Sequence, residues 1–293
     1  MNAPRDGGSI AHNPPNAQIH ISQHGTDWLW AVFAVMVFRK VNLVPSDLVF
    51  IAWSFTRPKG QRVFHQLPVV ILTVASIAYF SMASDLGATP IVAEWSRLGG
   101  GTRQIWYVRY IQWFINAPLL LLEVLLTSGL SLSDIATAVF MVTVTVVCGL
   151  VGALVESTYK WGYFTMGATA LLYVITVFLV IAPRTTFAAG SRVRTTYIYS
   201  AGWLSLIFIL YPICWGLSEG GNKIKPTSEM VFYGILDLMA GPFFLAAFLF
   251  GLSGVDYAAF GLESGRLTDY RRFSSENGHR TEKTTQPAPV ASA

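Results

Sequence analysis

Four polar side chains, Arg109, Gln112, Asn116 and Glu123, stand inside an otherwise apolar run, WYVRYIQWFINAPLLLLEVLLTS at 106–128. Separations of three, seven and fourteen residues bring them to roughly one face of a helix, with Trp113 beside them. The run is long enough to span a bilayer, since about 20 residues at ~1.5 Å rise cover the ~30 Å hydrocarbon core. A charged side chain at that depth costs at least ~2.5–3.5 kcal/mol, so these groups must face a protein interior that supplies partners. Two chemistries fit such a line of groups. One is a structural polar seam between packed helices; the other is a polar pathway or ligand cavity running along this helix. A second carboxylate, Asp237, lies in another apolar run near the C-terminal end. Arg109 and Asp237 are opposite charges expected to compensate one another, directly or through water.

The elements that must position these groups follow from hydropathy. The chain has 293 residues, 53% hydrophobic and only 12% charged. A mean hydropathy of +0.49 and repeated long apolar runs describe an all-α polytopic membrane protein. The runs leave no soluble domain large enough for a basic groove, so the net charge of +4 is not a nucleic-acid signal. Cys148 and Cys214 fall inside predicted spans and read as small buried hydrophobes, not as a disulfide or metal pair. Residues 1–26 are polar, lack a signal-peptide pattern and read as a tail on the outside.

Seven spans are expected. The first lies within 27–55 and is irregular, because Arg39, Lys40, Asn42, Pro45, Ser46 and Asp47 interrupt it. A helix through all of it would run about 43 Å, longer than the core needs. Removing roughly seven residues around 38–45 would leave an ordinary span, so that stretch reads as an insertion, conceivably a translated intron. The others are 67–86, 106–128, 135–155, 161–181, 196–217 and 230–250. The link at 87–103 has room for a turn or short hairpin. Spans three and four should be antiparallel neighbours, and the GLVGAL of span four suggests close packing through small residues. The Tyr211-Pro212 pair suggests a kink in span six. Arginine and lysine favour the first loop, the loop between spans five and six, and the tail 256–293, which reads as disordered. Those segments should be cytoplasmic, with the N-terminus outside.

RYIQWFINAPLLLLE (109–123), YPICWGLSEGG (211–221) and ILDLMAGP (235–242), with Tyr79 in YFSM and Gly149 in GLVGAL, resemble helices three, six and seven and neighbouring positions of microbial rhodopsins. The likeness covers about 27–255 and is nearest to the fungal branch of that family. It implies a seven-transmembrane-helix bundle of bacteriorhodopsin type for 27–255. Where the pumps carry the lysine that forms a Schiff base with retinal, four residues after an aspartate, this chain has Gly241. Where they carry the carboxylate that accepts the Schiff-base proton, it has Gln112, an amide that does not titrate. Phe208 stands where the family commonly has a pocket tryptophan.

The resemblance further implies that Tyr79 and Tyr211 hydrogen-bond Asp237, and that Arg109, Asp237, Tyr79, Tyr211 and Asn116 form a polar core. Glu123, about 21 Å along the helix from Arg109, matches the site that reprotonates the Schiff base; here a neutral buried carboxyl fits as well. Trp113, Pro118, Gly149, Phe208, Pro212 and Trp215 should line the pocket. It resembles the lysine-less fungal subgroup that includes a heat-shock-induced plasma-membrane protein. That subgroup implies a non-photochemical role in stress, by chaperoning or by modulating the plasma-membrane proton pump. The lipid bilayer is then the first partner, with that pump, other membrane proteins or a second copy as further ones. A non-covalent retinal or apolar-ligand sensor is the alternative, though retinal is not expected, and passive proton or ion conduction is a third. No catalytic or metal constellation is visible, because the histidines at 12, 20, 24, 65 and 279 are expected outside the membrane core, so the chain does not read as an enzyme.

Overall fold

The computed structural model describes residues 9–37, 52, 54–55, 62–94, 101–185, 187 and 190–262. Its long helices are α2 (Gln23–Val37), α3 (Val63–Ala83), α4 (Tyr107–Leu125), α5 (Leu132–Leu154), α6 (Lys160–Thr176), α7 (Ser191–Trp215), α8 (Pro226–Leu238) and α9 (Phe244–Gly251). A one-turn α1 (Ser9–His12) precedes them, and the strands β1 (Thr89–Val92) and β2 (Thr102–Ile105) form an antiparallel hairpin between α3 and α4. The hairpin is the form the 87–103 link takes.

Among the described residues, six helical stretches are long and apolar enough to cross a membrane: Val63–Ala83, Tyr107–Leu125, Leu132–Leu154, Lys160–Arg184, Ser191–Gly220 and Pro226–Gly251. The last three include π turns at Val177–Ile181, Gly216–Gly220 and Met239–Phe243. For the first expected span only α2, with 15 residues, falls among the described residues; the irregular 38–45 stretch lies outside them. Each long helix packs on its neighbours in sequence, and α2 closes the ring against α8.

Local chemistry sets the helix ends. Ser131 caps α5, its Oγ accepting from the Asp134 amide at 3.2 Å, and Pro226 opens α8, where a missing N–H costs nothing. At the close of α4 the hydroxyls of Thr127 and Ser128 donate to the Val124 and Leu125 carbonyls. Helix α7 continues as a regular α-helix through Pro212, and the irregular geometry comes one turn later, in the π turn at Gly216–Gly220. Close packing at the small residues of α5 is real: a methyl on Gly152 would come within 3.0 Å of the Trp215 ring. Cys148 and Cys214 are buried free thiols.

Two segments depart from the sequence expectation. Residues 9–26 are not a loose tail. Ile19 bridges to β2 as an added parallel strand, accepting from the Gln104 amide and donating to the Thr102 carbonyl, both at 2.9 Å, while Ile21 is fully buried. The Ile21 amide reaches Gln104 Oε1 and the Ser22 amide reaches Thr227 Oγ1, so the segment ties the hairpin to the start of α8. Strand addition uses backbone groups, which leave no hydropathy pattern to read. The second departure is His65, which is not outside the bundle but buried in the first turn of α3, its ring 5.9 Å from that of Tyr257 in the 3₁₀ turn Tyr257–Phe260.

Candidate functional site

Asp237, at the end of α8, is the hub. Tyr79 from α3 donates to its Oδ2 at 2.6 Å and Trp113 from α4 donates to its Oδ1 at 3.1 Å. Tyr211 from α7 donates to Oδ1, and the Gln112 amide approaches Oδ2 at 3.4 Å. Each carboxylate oxygen therefore has two donors, and four helices converge on one buried group. Such a site stabilises a carboxylate through hydrogen bonds alone, without a contacting cation. It also leaves the oxygens with little spare capacity to accept another proton donor.

Arg109 does not hydrogen-bond Asp237. Its Nη2 pairs with Glu219 Oε1 at 3.2 Å, and its guanidinium lies 3.4 Å from the centre of the Tyr233 ring and 4.8 Å from that of Tyr110. Glu219 Oε2 in turn accepts from Tyr110 at 2.7 Å and from Tyr233 at 3.4 Å. The direct partner of Arg109 is thus Glu219, a residue the sequence argument passed over. A carboxylate between glycines in GLSEGG, just past the expected 196–217 span, was the available signal, since a charge that becomes buried needs a partner. A second buried pair lies at the ends of these elements. Arg103 in β2 and Glu229 in α8 meet at 2.5 Å with both side chains at most 1% exposed, and Arg103 also donates to the Ile224 carbonyl at 2.8 Å.

The remaining polar residues of α4 are buried, on the face their spacing suggests, but they do not join the hub. Asn116 turns to α3 and donates to the Ile71 carbonyl at 3.0 Å. Glu123 is fully buried, and neither carboxyl oxygen has a hydrogen-bond partner among the described residues.

A cavity of about 110 Å³ lies between α4, α5, α6 and α7. Of the expected pocket residues, Trp113, Gly149, Phe208, Pro212 and Trp215 line it, and Tyr211, expected in the polar core, lines it too. Pro118 does not; Ala117 faces the cavity in its place, because one residue turns a helix by about 100°. The rings of Trp113 and Phe208 meet edge to face with centroids 6.4 Å apart.

Gly241 belongs to the π turn after α8, with φ −90° and ψ −107°. A methyl there would meet Leu72 and Met36 at 3.8 Å, ordinary contact distance. The position is therefore not glycine for want of room for a first carbon. Gly241 is not among the residues that line the cavity.

Known proteins agree with this architecture. The family described as bacteriorhodopsin-like protein matches residues 26–252. The chain is 61% identical over 257 residues to Protein FDD123 of Trametes versicolor, covering 88% of both chains. It is 38% identical to the 30 kDa heat shock protein of Saccharomyces cerevisiae, covering 78% of this chain and 73% of that one. The solved structure of the light-driven proton pump of Coccomyxa subellipsoidea superposes with a TM-score of 0.72 at 33% identity, over 78% of this chain and 97% of that one. With its ring of membrane-spanning helices and its fungal opsin-like relatives, the chain is an integral membrane protein that belongs to the bacteriorhodopsin-like family.

Proposed function

We propose that this is an opsin-like membrane protein without covalent retinal and without light-driven pumping, serving a structural or regulatory role at the plasma membrane. One observation carries the reading. Gly241 has no amine at the position where the family's Schiff base would form, and the described part of the α8–α9 span contains no lysine to replace it. One feature supports it: Gln112 cannot take up a proton in place of an acceptor carboxylate. Asp237, already holding four donors, acts as a tie between helices. A role in stress, as a chaperone-like protein or a modulator of a proton pump, is supported by the similarity to a relative named as a heat shock protein. The arginines of the 184–194 link and of the tail beyond 262 favour an outside N-terminus and a cytoplasmic C-terminus.

The test is spectroscopic. Protein purified with all-trans retinal is expected to show no retained, red-shifted pigment, and cells expressing it no light-driven pH change. Gly241→Lys is expected to permit a Schiff base yet not efficient outward transport, because Gln112 remains. A covalent adduct on the native chain overturns the reading; robust pumping by the single variant overturns the role given to Gln112.

A further inference from the structure

The residues before α2 form a strap across the hairpin end of the bundle, and the strap closes beside a carboxyl. Ile19 makes two backbone bonds to β2, Ile21 is fully buried, and the Asn13 side-chain amide donates to the Ser84 carbonyl at 2.8 Å. The Gln104 side chain links the strap to the turn after α3. Its Oε1 accepts from the Ile21 amide at 2.9 Å, and its Nε2 donates to Asp85 Oδ1 at 2.8 Å. The strap is thus bonded on either side of Asp85, at Ser84 and through Gln104.

The other oxygen of this carboxyl is treated differently. Asp85 Oδ2 is shut off from solvent and has no hydrogen-bond partner among the described residues. An ionised carboxylate calls for donors on both oxygens, which water supplies once the strap lifts. A protonated carboxyl carries no charge to solvate, and its Oδ1 can still accept from Gln104. The closed strap therefore favours the proton. Burial pushes the Asp85 carboxyl up, against the lowering effects of Gln104 and His20. Closure is then tightest below the ordinary aspartate range of about 3.9 and weakens as pH rises through the raised value.

The titratable group set against Asp85 is His20, on the strap itself. Its Nδ1 lies 2.7 Å from the Ile21 carbonyl oxygen, which can only accept, so Nδ1 carries a hydrogen and Nε2 takes up the second proton. Protonated, the ring presents a positive charge to an ionised Asp85; neutral, it presents none. Both titrations favour closure on the acid side.

We propose that residues 13–22 are an acid-closed strap, latched through Gln104 beside Asp85, that lifts as the pH on its side of the membrane rises and bares the edge of β2 now held by Ile19. Nothing in this device depends on the missing Schiff base, so its failure would leave the non-pumping reading intact, and the reverse.

The test reads the strap directly. Asn16→Cys, at an exposed position, carries a trifluoromethyl tag followed by fluorine NMR in the full-length protein in lipid nanodiscs, Cys148 and Cys214 being buried. Ile21→Asp puts a charge in a fully buried socket and marks the open signal. The ratio of open to closed strap is expected to rise about fivefold from pH 4 to pH 8, the lower end of what an unpaired buried acceptor implies. Asp85→Asn keeps an acceptor for Gln104 but cannot ionise, and is expected to hold the ratio near its acid value throughout. Gln104→Leu removes the link and is expected to favour the open signal at both pH values. A native ratio that stays constant or falls with rising pH overturns the proposal. So does a rise of native size in Asp85→Asn, or a strap that stays closed in Gln104→Leu.

Discussion

Replacing Glu229 by leucine should be among the most damaging single changes in this protein, and the pair it belongs to shows why. Arg103 and Glu229 meet at 2.5 Å, with side-chain exposures of 1% and 0%. Removing the carboxylate leaves a buried guanidinium without its contacting counter-charge, a loss of about 3–5 kcal/mol for buried pairs. Taking both charges away is different, since desolvation disappears along with attraction; an apolar pair of similar volume is often neutral or better. Arg103 also donates to the Ile224 carbonyl at 2.8 Å, so the double variant Arg103→Met/Glu229→Leu still forfeits one hydrogen bond, about 1 kcal/mol. The single variant is therefore expected to lie some 2–4 kcal/mol below the double. At roughly 2–4 °C per kcal/mol for chains of this order of size, Glu229→Leu should lower the melting midpoint by about 6–20 °C, and the second substitution should restore most of it. Tryptophan-fluorescence melts in a mild detergent read both numbers. A single variant melting within 2 °C of the native protein, or a double variant no better than the single, would refute the argument.

Two further outcomes are expected. Gly234→Ala should destabilise, because its new methyl would stand 2.5 Å from the Trp28 indole nitrogen, whose bond to the Met230 carbonyl helps hold α2 to α8; the same melt reads it, and an unchanged midpoint would show that α2 can shift freely. Asp85, in the half-buried turn after α3, has its carboxyl pushed up by burial, against the lowering effects of the Gln104 amide and of His20. The folded form then binds the proton more tightly than the unfolded one, so stability declines as pH rises from the ordinary aspartate range of about 3.9 through the raised folded value. Asp85→Asn keeps the acceptor for Gln104 and tolerates the φ of 57°. It should match the native protein at pH 4 and exceed it at pH 8; a native protein that gains on the variant with rising pH would contradict this.

Span positions were readable because each rests on one quantity, an apolar run long enough for the bilayer. Val63–Ala83 and Leu132–Leu154 sit within a few residues of the expected 67–86 and 135–155. Side-chain partnership was another matter. Arg109 and Glu219 are 110 positions apart and become neighbours only when the helices close into a ring, so charge compensation by the recognised Asp237 was the nearer inference. Pro118 and Ala117 differ by one step of rotation, finer than a motif resolves. His65 sat at the edge of a span in the sequence, and its burial depends on the chain beyond α9 folding back over it.

Ser22 binds Thr227 across 205 positions, and Ile19 joins a hairpin more than eighty residues downstream. During synthesis Ile19 can pair once β2 has emerged, whereas the Ser22 amide must wait, satisfied by water, until α8 begins. The Ser22–Thr227 bond is consequently a sign of completed assembly, and a chain halted before α8 would hold its leading segment by the hairpin alone.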